Sequence, residues 1–297
     1  MIYINFVFVI ISLLISVIFF TMLERKIMSY MQIRKGPNKV GFLGLLTPIS
    51  DSLKLIIKNT SYILNSNELI YWFSPLLTVF LLLLSWLIYP IEFSNNTIYY
   101  GFLFFLCISS INVYSTLGSG WGSNSKYSLL GALRGSAQII SYEVLLVFVS
   151  LFPFVFHGGF NLHNFSNMGF MYIFWLFPIF LIWLISSVAE TNRSPFDFSE
   201  GESELVSGFN TEYGSFEFAF LFLGEYGSII LISFLSVIIF FSFNNNWLNE
   251  FFGLLLSFSF IWFRSSFPRF RYDLLMNLAW CNGLIFIIVY FIYLFSF

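Results

Sequence analysis

MIYINFVFVIISLLISVIFFT, Met1 to Thr21, is an apolar run without one charged side chain, and Glu24-Arg25-Lys26 follows almost at once. About 20 such residues suffice for a helix to cross the ~30 Å hydrocarbon core of a bilayer. No small-residue cleavage pattern stands between the run and the charges, so it is expected to remain as a first transmembrane helix. The rest of the chain has the same character. Of its 297 residues, 58% are hydrophobic and only 9% charged, too much continuous apolar surface for a soluble core. Backbone groups in lipid must be paired internally, and continuous rather than alternating runs exclude a lipid-facing barrel, so a helical bundle is left.

Runs of about 20 apolar residues predict eight spans, at 2–23, 69–90, 98–118, 136–156, 170–189, 217–242, 249–266 and 277–296. The expected fold is therefore an all-α polytopic membrane protein forming a single membrane domain over 1–297. In the first loop, Pro48 precedes a segment with Ile49, Leu53, Ile56 and Ile57 on one helical face and Asp51, Lys54 and Lys58 on another, which reads as an interfacial amphipathic helix. With eight spans, all 13 Lys and Arg fall in the first, third, fifth and seventh loops once Arg264, at the end of the seventh span, is counted with the seventh loop. The positive-inside rule then puts those loops in the cytoplasm-equivalent compartment and both termini opposite. Function is expected on the basic side. The even loops hold only Glu92, Glu250, His157 and His163 as ionisable groups.

A formal net charge of −2 gives no global attraction to nucleic acid or anionic lipid. Cys107 and Cys281 fall inside apolar runs and read as buried small hydrophobes. There is no Cys-x-x-Cys, no His within a span, no Gly-x-Gly-x-x-Gly after a strand and no P-loop lysine, so haem, iron–sulfur and nucleotide cofactors are not expected on this chain. Abundant Phe, Ile and Asn read as the coding bias of an AT-rich, organellar genome.

Carboxylates at membrane depth are the first candidates for chemistry. Glu143 and Glu225 lie roughly 10–12 Å along the expected fourth and sixth spans. A charge at bilayer centre costs about 2.5–3.5 kcal/mol on insertion scales, so such groups face the bundle, find partners or hold a proton. The densest group is AETNRSPFDFSEGESELVSGFNTEY, Ala189 to Tyr213. There Glu190, Asp197, Glu200, Glu202, Glu204 and Glu212 are opposed only by Arg193. Phe196, Phe198, Leu205, Val206 and Phe209 interleave with these acids, which predicts an amphiphilic segment buried against protein rather than a solvated loop. Arg264 to Asp273, RSSFPRFRYD, mixes three arginines with aromatics that suit a planar polar headgroup or a partner's acids.

Four stretches carry a family resemblance: MLERKIMSYMQIRKGPNKVG (Met22 to Gly41), SGWGSNSKYSLLGALRGSAQIISYEV (Ser119 to Val144), the acidic segment itself, and FPRFRYDLLM (Phe267 to Met276). Together they resemble subunit 1 of the proton-pumping NADH:ubiquinone oxidoreductases, respiratory complex I. The resemblance implies an eight-helix subunit at the junction with the hydrophilic arm, forming much of a ubiquinone chamber. Ubiquinone would be substrate, with FMN and iron–sulfur clusters in partner subunits, among them the quinone-site subunits and neighbouring small membrane subunits. Carried over residue by residue, it assigns Arg25, Arg34 and Arg271 to the chamber and its entrance, with Phe220 and Phe222 added on position alone. It assigns Asp51, Glu143, Glu190, Asp197, Glu200, Glu202, Glu204 and Glu225 to an acidic path coupling quinone reduction to proton translocation. The implied location is the mitochondrial inner membrane, or a bacterial plasma membrane.

Three positions depart from the family pattern: Glu217, Leu274 and Cys281 stand where Pro or another uncharged residue, Gln and Lys are usual. An acid at 217 reads as a cap on the sixth helix. Other classes weighed against this one are the membrane subunit of an energy-converting hydrogenase, a self-contained proton or cation antiporter, and a purely structural anchor. An antiporter calls for an intramembrane Lys and an inverted repeat, and neither is evident.

Overall fold

A computed structural model of the chain describes residues 2–60, 63, 65–90, 98–166, 172–199, 201, 205–243 and 245–296, with backbone alone at 2–6, 166 and 295. Among the described residues there are helices and no strands. They are α1 (Ile2–Met31), α2 (Thr47–Ile57), α3 (Glu68–Trp86), α4 (Gly101–Gly122), α5 (Lys126–His157), the short α6 (Leu162–Ser166), α7 (Phe177–Glu190), α8 (Ser215–Phe240), α9 (Asn246–Ser266), α10 (Tyr272–Asn277) and α11 (Ile285–Phe295). A π-helical stretch, Leu278–Leu284, joins the last two into one rod.

Helices occupy all eight expected positions, and six of them are long and apolar enough to cross a membrane: Val7–Met31, Glu68–Trp86, Gly101–Gly122, Lys126–His157, Ser215–Phe240 and Tyr272–Leu294. The protein is a multi-pass membrane protein. The other two positions are less regular. The expected span at 170–189 holds a 3-10 turn at Tyr172–Phe174 and becomes α-helical only at Phe177, where Pro178 stands in the first turn; the 14 α-helical residues make about 21 Å. The expected span at 249–266 is the 21-residue α9, where Asn249, Glu250 and Arg264 dilute the apolar run. Two spans outrun their predicted lengths. The 30 residues of α1 measure about 45 Å and the 32 of α5 about 48 Å. Neither fits within a ~30 Å hydrocarbon core, so their polar ends continue past it.

Helices in lipid gain little from hiding apolar area from one another, so close packing carries the association. The core is built accordingly from large side chains in full contact: Phe102 stacks on Phe154 at 4.3 Å, and Trp183 meets Phe240 at 5.7 Å. Most of it lies between α4, α5, α7 and α8, with α8 the most enclosed helix. Cys107 and Cys281 are exposed, against the sequence reading. The outer face of a bundle in lipid is as apolar as its interior, so hydropathy alone does not distinguish the two positions.

Candidate functional site

One stripe of α5 receives the acidic segment. Gly131, Gly135, Gln138 and Tyr142 recur at helical spacing and share a face. A Cβ at Gly131 would lie 2.9 Å from the Gly208 Cα, and one at Gly135 2.7 Å from the Ser199 Cβ, so only glycine lets the loop come this close. Gln138 Nε2 then donates to the carbonyls of Ala189 and Phe196, each at 2.8 Å, clamping the start of the segment to α5. Phe196, Phe198, Leu205 and Phe209 are buried as expected, whereas Val206 is exposed.

The arginine-rich seventh loop closes over the same segment. Asp197 is buried and meets Arg269 Nη2 at 3.3 Å. The Phe270 amide donates to the Pro195 carbonyl at 3.1 Å, and the rings of Phe270 and Tyr272 meet Phe196 and Phe198. The acids that Arg264 and Arg269 engage thus belong to this chain.

Beneath the loop lies a buried charge cluster drawn from four segments. Glu24 on α1 pairs with Arg264 on α9 and lies 3.7 Å from Arg193 Nη1. Tyr226 on α8 donates its hydroxyl to Glu24 Oε2 at 2.6 Å, and the Arg193 guanidinium sits 4.3 Å above the centre of the Tyr226 ring. The other edge of Arg193 reaches Glu225 Oε2 at 4.0 Å. A cation only 8% exposed between two carboxylates satisfies the requirement that buried charge be paired.

Glu225 also lines an internal cavity of about 90 Å³ that reaches between α3, α4, α7 and α8. Glu190, Asn192 and Asn112 face it, with Thr78, Ser85, Ser109, Ser115 and Ser228. Glu190 Oε2 and Asn192 Oδ1 are buried without a hydrogen-bond partner. A space this large, with these polar groups set among aliphatic side chains such as Leu81, Leu82 and Ile139, accommodates several waters, which supply the donors such oxygens need. Glu143 joins from α5, because Ser109, on the cavity wall, donates to its Oε1 at 3.4 Å. The arrangement gathers groups able to hold protons: two carboxyls on the cavity wall, a third one hydrogen bond away, and a neighbouring cation.

The predicted residues thus divide. Glu190 and Glu225 line the cavity, Glu143 reaches its wall through Ser109, and Asp197 lies in the loop above. Glu200, Glu202 and Glu204 lie outside the described residues. Asp51 does not line the cavity; it pairs with Arg25 at 2.7 Å, both half-exposed. Arg34 and Arg271 are exposed, Phe222 packs between Phe218 and Tyr226, and Phe220 rests on Phe216. Glu217 is no surface cap: it lies in the first turn of α8, 2% exposed. The sequence reading missed Glu24 and Tyr226, offered Arg264 to a headgroup or a partner's acids, and treated Arg193 as a mere counter-charge. Glu24 abuts Arg25-Lys26 and reads as a membrane flank; the signal that could have singled it out is its acidic sign at an otherwise basic helix end.

A family model described as NADH dehydrogenase matches residues 4–295. The chain is 51% identical over 278 residues to "NADH-ubiquinone oxidoreductase chain 1" of Aedes aegypti, covering 91% of this chain and 88% of that one. Proteins of the same name from Locusta migratoria and Patiria pectinifera are 50% and 43% identical, over 93% and 94% of this chain and 89% of each relative.

Proposed function

The chain belongs to the NADH dehydrogenase family and is a membrane subunit of an NADH:ubiquinone oxidoreductase, and from that premise we propose that its acidic cavity couples quinone chemistry to proton movement. The observation carrying this reading is the continuity of ionisable groups. From Glu24 the Arg193 guanidinium leads to Glu225, the cavity leads on to Glu190, and Ser109 leads to Glu143.

In this reading ubiquinone is the substrate and reaches a chamber bordered by the first, fifth and seventh loops, with Arg25, Arg34, Phe220, Phe222 and Arg271 near its entrance. The electrons come from iron–sulfur clusters in partner subunits, and FMN lies further away in another; this chain's part is electrostatic. A change of charge in the chamber alters the field at Asp197 and at the Glu200, Glu202 and Glu204 carboxyls. Interacting carboxyls titrate as a group, so Glu225, Glu190 and Glu143 redistribute protons in response. Arg193 moderates the step, since its charge is shared between Glu24 and Glu225. The subunit's neighbours are the hydrophilic-arm quinone-site subunits and small membrane subunits, and its location is the mitochondrial inner membrane, basic loops facing the matrix.

The test is Glu143→Gln and Glu202→Gln in the assembled enzyme. Both are expected to lower quinone reductase and proton-pumping rates while assembly stays intact. Full coupled activity in both variants would refute the coupling role.

A further inference from the structure

Helix α2 is held to the bundle by one face and leaves another bare. Thr47 and Pro48 are buried, and Asp51, the only acid of the helix, is turned toward Arg25 of α1 at 2.7 Å. The opposite face carries Ile49, Leu53, Ile56 and Ile57, which recur at i, i+4, i+7 and i+8 and are all exposed, Ile57 to 78%. Lys54 and Lys58, one turn apart, flank this strip. Together with Ser50, Leu53, Ile57 and Asn59 they line an open groove of about 660 Å³.

We infer that this groove binds the headgroup of an anionic phospholipid of the surrounding bilayer, the phosphate between the Lys54 and Lys58 ammoniums and the acyl chains along Leu53 and Ile57. Two observations select a lipid over an acidic protein segment. The groove joins cations directly to a strip of bare aliphatic side chains, and a phospholipid carries an anion and hydrocarbon in the same molecule. Moreover, Arg25, the partner of Asp51, stands four residues, about 6 Å of helix, beyond the uncharged run Met1–Thr21, where a ~30 Å hydrocarbon span gives way to headgroups. The C-terminal half-charge of α2 opposes an anion there, but two full positive charges outweigh it. With Asp51 occupied by Arg25, no carboxylate of α2 competes for the lysines.

The test uses the assembled complex in nanodiscs of phosphatidylcholine doped with a photoreactive phosphatidylglycerol or a photoreactive phosphatidylcholine. Peptide mass spectrometry then reads labelling of residues 50–59. The phosphatidylglycerol probe is expected to label the segment at least fivefold more than the phosphatidylcholine probe, with the excess shrinking at high salt. Lys54→Gln/Lys58→Gln should bring labelling by the two probes close to equal. Equal labelling by the two probes would overturn the proposal, as would a segment shielded from both by a neighbouring subunit. The wild-type comparison decides the matter even where the double variant fails to assemble.

Discussion

Replacing Arg193 by Met removes the cation that buried Glu24 and part-buried Glu225 share. At distances of 3.7 Å and 4.0 Å, each attraction is worth about 4 kcal/mol at an effective dielectric constant of ~20. Desolvation of the three ions offsets most of that gain, so the intact cluster adds little net stability. Removing one member is another matter, because burial remains while compensation goes; such changes cost about 3–5 kcal/mol. Glu24 would keep Arg264 and the Tyr226 hydroxyl, and the Glu225 side chain is 21% exposed. Both facts favour the low end, about 3 kcal/mol, or a midpoint roughly 4–8 °C lower. Thermal inactivation of the purified complex at one fixed scan rate would measure the shift. Arg193→Lys, which keeps the charge but loses the planar guanidinium, should lose about half as much. Adding Glu225→Gln to Arg193→Met should recover at least ~1 kcal/mol, because one uncompensated charge is gone. If the double variant is no more stable than the sum of its parts, Arg193 is not acting as a counter-charge and the argument fails.

Gln138→Leu should destabilise by about 1–2 kcal/mol. The carbonyls of Ala189 and Phe196 would lose the amide but keep the Asn192 and Phe198 amides at 3.3 Å and 3.1 Å. Gln138→Glu should cost more than Gln138→Leu, since it turns a carboxylate toward two carbonyl oxygens; the reverse order in thermal melts would refute the clamp. Burial raises the Tyr213 phenol above its usual range. Above the ordinary value of ~10 the unfolded chain releases a proton that the folded chain keeps, so stability falls as pH rises through that window. Tyr213→Phe should flatten this alkaline slope of the thermal midpoint, and an unchanged slope would count against it.

Sequence alone located the membrane helices because hydropathy and length are local properties. It also identified Glu143, Glu190 and Glu225 as unusual, since an acid next to a span is expensive wherever it points. What it could not supply was pairing across the fold. Arg25 and Asp51 were assigned to different tasks and are partners, and the arginines of the seventh loop were offered to outside acids when Glu24 and Asp197 of the same chain take two of them. The burial of Glu217 escaped notice for a related reason: a helix-start acid looks the same whether solvent or Tyr213 surrounds it. The full extents of α1 and α5 escaped because polar residues continue a helix beyond the membrane without any change of backbone signal.

The cluster around Glu24 also sets an order of events in time. Glu24 is made early and Arg264 follows 240 residues later. At roughly 5–20 residues per second, about 12–48 s separate them. Through that interval the first helix stands in the membrane with an acid whose final cation has not yet been synthesised. Arg193 comes sooner but is fixed only once α5 has received the acidic segment. The last link in the charge network is therefore closed by the end of α9, so a chain truncated before Arg264 would keep α1 to α8 yet leave Glu24 without that arginine.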